Sequence, residues 1–208
     1  MEILKDIFTQ SISLFTIMNP LAAGVIMLTL CDEGITQKEI KEVAQHASRA
    51  IFIAMVVIFL GGIYIFNFFG ISPDGLRIFG GIILLTMGYN MVQGHGKRVN
   101  HQPVEHEAAK KREDISLVPL AIPIVVGPGL ATTLITMSVS INGWEDYLSG
   151  LIAIIISVSA ALVILIRMPY IRKKLGENGL KVINRLMGLI VGSLAVQMIV
   201  NGIQGLIN

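Results

Sequence analysis

Charged residues along this chain come in clusters, and the stretches between the clusters are long and apolar. A membrane-spanning helix needs about 20 mostly apolar residues. Six stretches approach that length: residues 7–30, 50–69, 78–94, 115–138, 147–166 and 186–207. The third is short unless it begins near Leu76, and the sixth is interrupted only by Gln197, Asn201 and Gln204. The connecting segments are polar or turn-rich. One of them, Thr36-Gln37-Lys38-Glu39, reads as a capping box that opens a short amphipathic run into the second span. No small-x-small cleavage site follows the first stretch, so it reads as a retained helix rather than a signal peptide.

Composition agrees with this pattern. Of 208 residues, 53% are hydrophobic and 14% are charged, and the mean hydropathy is +0.73. A soluble domain carries roughly a quarter charged residues. A charge at the centre of a bilayer costs at least about 2.5–3.5 kcal/mol, which is why the charges cluster outside the spans. The formal net charge of +2 argues against nucleic acid as a partner. Cys31 stands alone and forms no internal disulfide.

The distribution of Lys and Arg sets an orientation. The segments after the first, third and fifth spans hold 14 of the 16 basic residues: Lys38, Lys41, Arg49; Lys97, Arg98, Lys110, Lys111, Arg112; Arg167, Arg172, Lys173, Lys174, Lys181 and Arg185. The opposite side has Lys5 and Arg77 alone. The positive-inside rule then predicts a multi-pass protein of the cell membrane with both termini outside. The expected fold is an all-α membrane protein of six transmembrane helices, built as two inverted three-helix repeats. Residues 1–96 form the first repeat, 97–114 a cytoplasmic linker and 115–208 the second repeat.

Two correspondences support the duplication. Shifting residues 75–93 by 104 places six identical residues among nineteen positions, including Gly88 on Gly192 and Gln93 on Gln197. Near the middle of the first span lies Asn19-Pro20, and near the middle of the fourth lies Gly127-Pro128-Gly129; the two prolines are 108 apart. Small residues follow each break: Ala22-Ala23-Gly24 and Ala131-Thr132-Thr133. Proline removes a backbone donor and clashes with the carbonyl four residues back, while glycine lets the chain turn. The polar groups so freed are costly in hydrocarbon unless protein, water or a ligand satisfies them. Paired interruptions in matching positions of inverted halves point to a transporter's binding site. A half-helix beginning after each break offers N–H groups and a partial positive charge to a carboxylate, and the preceding carbonyls suit an ammonium group. A single mid-helix proline such as Pro20 is, on its own, more often a packing kink.

Other polar positions stay open. Thr132 and Thr133 offer hydroxyls either to a ligand or back to their own helix. Gln93 and Gln197 line a path or hydrogen-bond between helices. Gly188 and Gly192 form a GxxxG pair that reads as helix packing. His46, His95, His101 and His106 lack ligand spacing, so neither a metal site nor a cofactor is expected. No nucleophile–base pair or carboxylate pair lies inside the membrane, so the chain is not expected to be an enzyme. With no ionisable residue deep in any span, the favoured ligand is small and carries no net charge.

These residues resemble the MarC family of six-helix membrane proteins, grouped as neutral amino acid transporters. The resemblance runs over nearly the whole chain. It rests on Pro119-Leu120-Ala121-Ile122-Pro123 with Gly127-Pro128-Gly129, on Asn19-Pro20-Leu21, on Gly75-Leu76-Arg77-Ile78 with Gly80-Gly81, and on Asn184-Arg185-Leu186-Met187-Gly188 leading to Gln197. It implies that the breaks flank a central site for a small neutral amino acid such as glycine or alanine. The resemblance places that role on Asn19, Pro20, Gly127, Pro128 and Gly129; Ala22, Ala23, Gly24, Thr132 and Thr133, which follow the breaks, complete the candidate site. Many members carry glycine two residues after the first proline, where this chain has Ala22, whose methyl narrows the backbone approach. The expected function is secondary transport by alternating access within the lipid bilayer, with Na+ or H+ as a possible coupling ion. The rivals are a passive channel for small solutes and a non-transporting scaffold.

Overall fold

A computed structural model of the chain describes residues 2–31, 35–68, 70–94, 125–141 and 143–207. All regular structure among these residues is helical. The elements are α1 (Glu2–Met18), α2 (Pro20–Leu30), α3 (Gln37–Phe68), α4 (Pro73–Gln93), α5 (Pro128–Val139) and a 64-residue stretch, Trp144–Ile207. Gly176 divides that last stretch with φ 66° and ψ 177°, a backbone conformation that only glycine adopts freely. Its two arms are α6 (residues 144–175) and α7 (residues 177–207). The linker 97–114, His95, His101, His106 and the Pro119–Pro123 motif lie outside the described residues.

Local chemistry explains the helix ends. At Thr36 the capping box forms as the sequence predicts: the Thr36 N–H donates to Glu39 Oε2 at 2.9 Å, and the Glu39 N–H donates to Thr36 Oγ1 at 3.3 Å. The short third span gains length at its start. Ser72 accepts from the Gly75 N–H at 3.1 Å and Pro73 occupies the first helical position, so α4 begins before Leu76. Its 21 residues span about 31 Å, enough to cross a hydrocarbon core. The basic segment after the fifth span differs from the expected polar connection. It is helical on both sides of Gly176, since its Lys and Arg side chains are good helix formers.

Four stretches are long and apolar enough to cross a membrane: Ile3–Thr29, Gln37–Gly62, Pro73–Gln93 and Trp144–Ile207; Pro128–Val139 is a shorter apolar helix. The core between them holds Leu14, Met55, Phe59, Leu84, Leu134, Ile154 and Leu165. Large apolar side chains also cover the outward faces, among them Phe8, Val57, Phe79, Val163 and Leu189. A soluble monomer rarely exposes so continuous an apolar surface, whereas lipid covers it without penalty.

Contacts between helices show which ends lie together. Arg77, at the start of α4, bridges Asp74 at 2.7 Å and donates to Ser140 just beyond α5 at 2.8 Å. Gly202 and Gly205, near the end of α7, lie against Asp74. Tyr147, at the start of α6, meets the ring edge of Phe59 in α3, and Gly62 lies against Ile135 in α5. Both ends of the Trp144–Ile207 stretch therefore reach one end of the bundle, and its arms fold back at Gly176. At the opposite end Gly94 meets Arg185, and Gly24 meets Met168. Of the described basic residues, only Lys5 and Arg77 lie at the first end.

The α4–α7 crossing is built on glycine. A methyl group placed on Gly88 would stand 2.7 Å from the Gly192 nitrogen and 2.8 Å from the Gly188 carbonyl oxygen. The GxxxG pair thus serves close backbone packing, as its spacing suggests.

Candidate functional site

The first break is built around Asn19. Its backbone is left-handed, with φ 46° and ψ 61°, and among the described residues it is the one non-glycine residue with positive φ. Asparagine tolerates this region better than most residues because its short amide bonds locally. The Asn19 N–H is shared between the carbonyls of Phe15 and Thr16 at 3.2 Å each, which closes α1. Pro20 occupies the first position of α2, where a missing N–H costs nothing. Asn19 Oδ1 accepts from the Ala22 N–H at 3.3 Å and so caps α2.

The other end of the same side chain crosses the molecule. Asn19 Nδ2 donates to Asn184 Oδ1 of α7 at 2.9 Å and lies 3.9 Å from Met91 Sδ of α4. Asn19 is 6% exposed, so this bond is shielded from competing water. A residue of the first break is thereby tied to a helix 165 positions away. Asn184 belongs to the motif Asn184-Arg185-Leu186-Met187-Gly188, but nothing in its spacing pairs it with Asn19. Asn184 stands among Lys181 and Arg185 and reads as part of a basic connection until the fold at Gly176 brings it inward.

The second break has a different construction. Gly127 is extended, with φ −78° and ψ 176°, and no side chain caps α5. Pro128 takes the first helical position and is exposed. The residues preceding Val125 in this span lie outside the described residues. Thr132 Oγ1 donates to the Pro128 carbonyl at 2.8 Å, and Thr133 Oγ1 donates to the Gly129 carbonyl at 2.8 Å. Of the two roles open to these hydroxyls, bonding back to their own helix is the one adopted.

Both breaks rest on α4. Asn19 touches Met91, and a methyl on Gly129 would stand 2.5 Å from Leu84 Cδ2. Leu84 and Met91 are seven residues apart and share one face, so the breaks pack about two turns apart, roughly 10 Å, along a common surface. Other expected site residues act in packing. A methyl on Gly24 would meet Met168 at 2.8 Å, and Ala23 is buried, so this side of α2 is closed against α6. Ala22 and Gly127 remain half-buried.

A polar cavity of about 380 Å³ opens at the end of the bundle that holds the chain's N-terminal residues. Asp6 and Gln10 of α1 line it together with Phe59, Thr136, Ser140 and Asp146. Gln10 Oε1 and Thr136 Oγ1 are buried there with no hydrogen-bond partner. Such atoms are costly to leave unmatched and suit a polar guest or water.

A helical bundle with lipid-type outer faces, several spans and a capped break inside one of them defines a multi-pass integral membrane protein. The chain belongs to the MarC family: the family model described as "MarC family integral membrane protein" matches residues 4–207. It is 36% identical over 205 residues to a UPF0056 membrane protein of Pyrococcus abyssi, covering 99% of this chain and 98% of the relative. It is 35% identical over 198 residues to UPF0056 membrane protein YvbG of Bacillus subtilis, covering 94% and 92%. A UPF0056 membrane protein of Methanocaldococcus jannaschii is 35% identical over 193 residues, with 93% of each chain covered. No solved structure matches the chain.

Proposed function

We propose that this protein is a secondary transporter of small neutral amino acids, working by alternating access around the two helix breaks. It crosses the cell membrane six times, as two inverted three-helix repeats, with both termini outside. It is a carrier rather than an enzyme and uses no cofactor.

The observation that carries this reading is the Asn19 clasp. One side chain caps α2 after the first break and also bonds to Asn184 in the other half. An amide clasp of this kind can be exchanged for a ligand: a substrate carboxylate accepts from the start of α2, and Asn19 is released to turn. Helix starts suit carboxylates for the reason given by their aligned N–H groups. A neutral zwitterion satisfies both charges locally and asks for no buried counter-ion.

The inverted repeat has support in the packing. Gly88 faces Gly192, its own counterpart under the shift of 104, as expected of residues beside a two-fold axis. Two further pairings exchange under such an axis. Contact of α2 with α6 through Gly24 and Met168 is answered by contact of α5 with α3 through Ile135 and Gly62. The Asn19–Asn184 contact of the first span with α7 is answered by Thr132 of α5 against Gly80 of α4. The bundle end rich in Lys and Arg is the cytoplasmic one.

Purified protein in liposomes should take up labelled glycine or alanine and exchange it in counterflow with internal unlabelled substrate. Imposed Na+ and proton gradients identify the coupling ion. Flux that neither saturates nor counterflows would make the protein a channel, and absence of flux and binding would make it a scaffold.

A further inference from the structure

We infer that the groove between the cytoplasmic half of α3 and the middle of α6 is a binding site for the headgroup of an anionic phospholipid. Its volume is about 350 Å³, and its lining combines Gln45, Ser48 and Arg49 of α3 with Ser159 of α6. The apolar part of the lining is Phe52, Ile155, Val158 and Leu162.

Three observations lead to this occupant. First, Ser48 is 4% exposed and its Oγ is buried with no hydrogen-bond partner. A hydroxyl in that position is costly unless an acceptor or donor arrives from outside the chain. Second, Arg49 is an exposed cation that opens onto the groove at the level of apolar residues of α6. It shares the groove with Ser159 and Leu162, while the first basic residue of α6 is Arg167. That separation is five to eight residues, about 7–12 Å of helix, so the guanidinium stem starts inside the apolar zone. Among the described residues no carboxylate lines the groove or pairs with Arg49. A cation at that level calls for an anion. Third, the groove is open on its side, where Phe52 and Ile155 are exposed on the lipid-facing surface.

A phosphodiester meets all three conditions. Arg presents a planar fork that fits two phosphate oxygens at once. The Ser48 hydroxyl and the Gln45 amide supply further donors, and the acyl chains run along Phe52 and Ile155. Basic pockets between helices on the cytoplasmic side are where anionic headgroups are recognised. The side opening favours a lipid over a free anion, since it leads into the bilayer. This site stands apart from the helix breaks; it rests on the orientation proposed above and not on the transport reading.

The test uses the full chain in a neutral detergent, with thermal melting and native mass spectrometry after addition of phosphatidylglycerol, phosphatidylcholine or inorganic phosphate. Phosphatidylglycerol should raise the melting temperature more than phosphatidylcholine and leave a retained lipid. Arg49→Gln should abolish that difference, and Arg49→Lys should keep only part of it. Ser48→Ala should reduce lipid retention while leaving the melting temperature in phosphatidylcholine unchanged or higher, because it removes an unmatched hydroxyl. Ser159→Phe fills the groove and should also remove retention, which covers the case of a poorly folding Arg49 variant. Equal effects of the two lipids on the native chain would overturn the inference. So would an undiminished phosphatidylglycerol effect in Arg49→Gln and Ser159→Phe, or full reproduction of the effect by inorganic phosphate.

Discussion

At Asn19 the chain turns through a left-handed residue whose own side chain caps the next helix and holds a second helix across the bundle. At Gly127 it turns through an extended glycine, and the next helix starts without a side-chain cap. Each break is followed by a helix that starts with proline, yet one carries its polar partner with it and the other does not. The first is a latch and the second an opening. An N–H group already held by Asn19 has to be released before it can receive a ligand, whereas the start of α5 has no such competitor among the described side chains. Under the proposed transport reading, substrate engages α5 first and release of the Asn19–Asn184 bond accompanies the change of state.

This contrast can be broken at several points. The largest effect is expected from Gly127→Leu. With φ at −78°, leucine is accepted by the backbone without strain, so the change fills space rather than unfolding the chain. Liposome uptake should fall about a hundredfold, roughly 2.7 kcal/mol, while the melting temperature stays close to that of the native chain. Next comes Asn19→Ala, which loses the cap and forces a poor residue into the left-handed region, at a cost of about 2–3 kcal/mol in chemical unfolding. Asn19→Gly keeps the turn and should cost only about 1 kcal/mol, so the gap between the two variants measures the left-handed conformation alone.

Asn184→Ala should cost about 1–2 kcal/mol by leaving the Asn19 amide buried without its acceptor. Combined with Asn19→Gly it should add almost nothing, because the two residues share one bond; additive losses would show that the clasp is not formed. The smallest effect is expected for Thr132→Val. Its hydroxyl bonds to the helix backbone, so uptake should stay within about twofold of the native rate. A larger loss would return Thr132 to the substrate.

Much of this arrangement was legible before any coordinates. Helix-length apolar blocks follow from the cost of burying charge, and Thr36-Gln37-Lys38-Glu39 states its own cap. Asn19-Pro20 reads as a break because proline cannot continue the backbone ladder. Gly88 and Gly192 were matched by a shift of 104 before being seen in contact. Three things were not legible. The Asn19–Asn184 bond depends on a chain reversal at Gly176, and glycine in a basic helix gives no direction. The roles of Ala23 and Gly24 depend on Met168, whose side chain arrives from another helix. The polar cavity beside Gln10 and Thr136 gathers residues from four helices, none of which stands out in its own segment.

The central claim is that the breaks together form a site for a small zwitterion, and ligand-dependent melting tests it without any assumption about coupling. Glycine or alanine at about 100 times its dissociation constant should stabilise the native chain by about 2.7 kcal/mol. Leucine should do far less, and Gly127→Leu should melt normally yet gain nothing from either small amino acid. A native chain that no small amino acid stabilises, or a Gly127→Leu variant stabilised as fully as the native chain, would contradict the account.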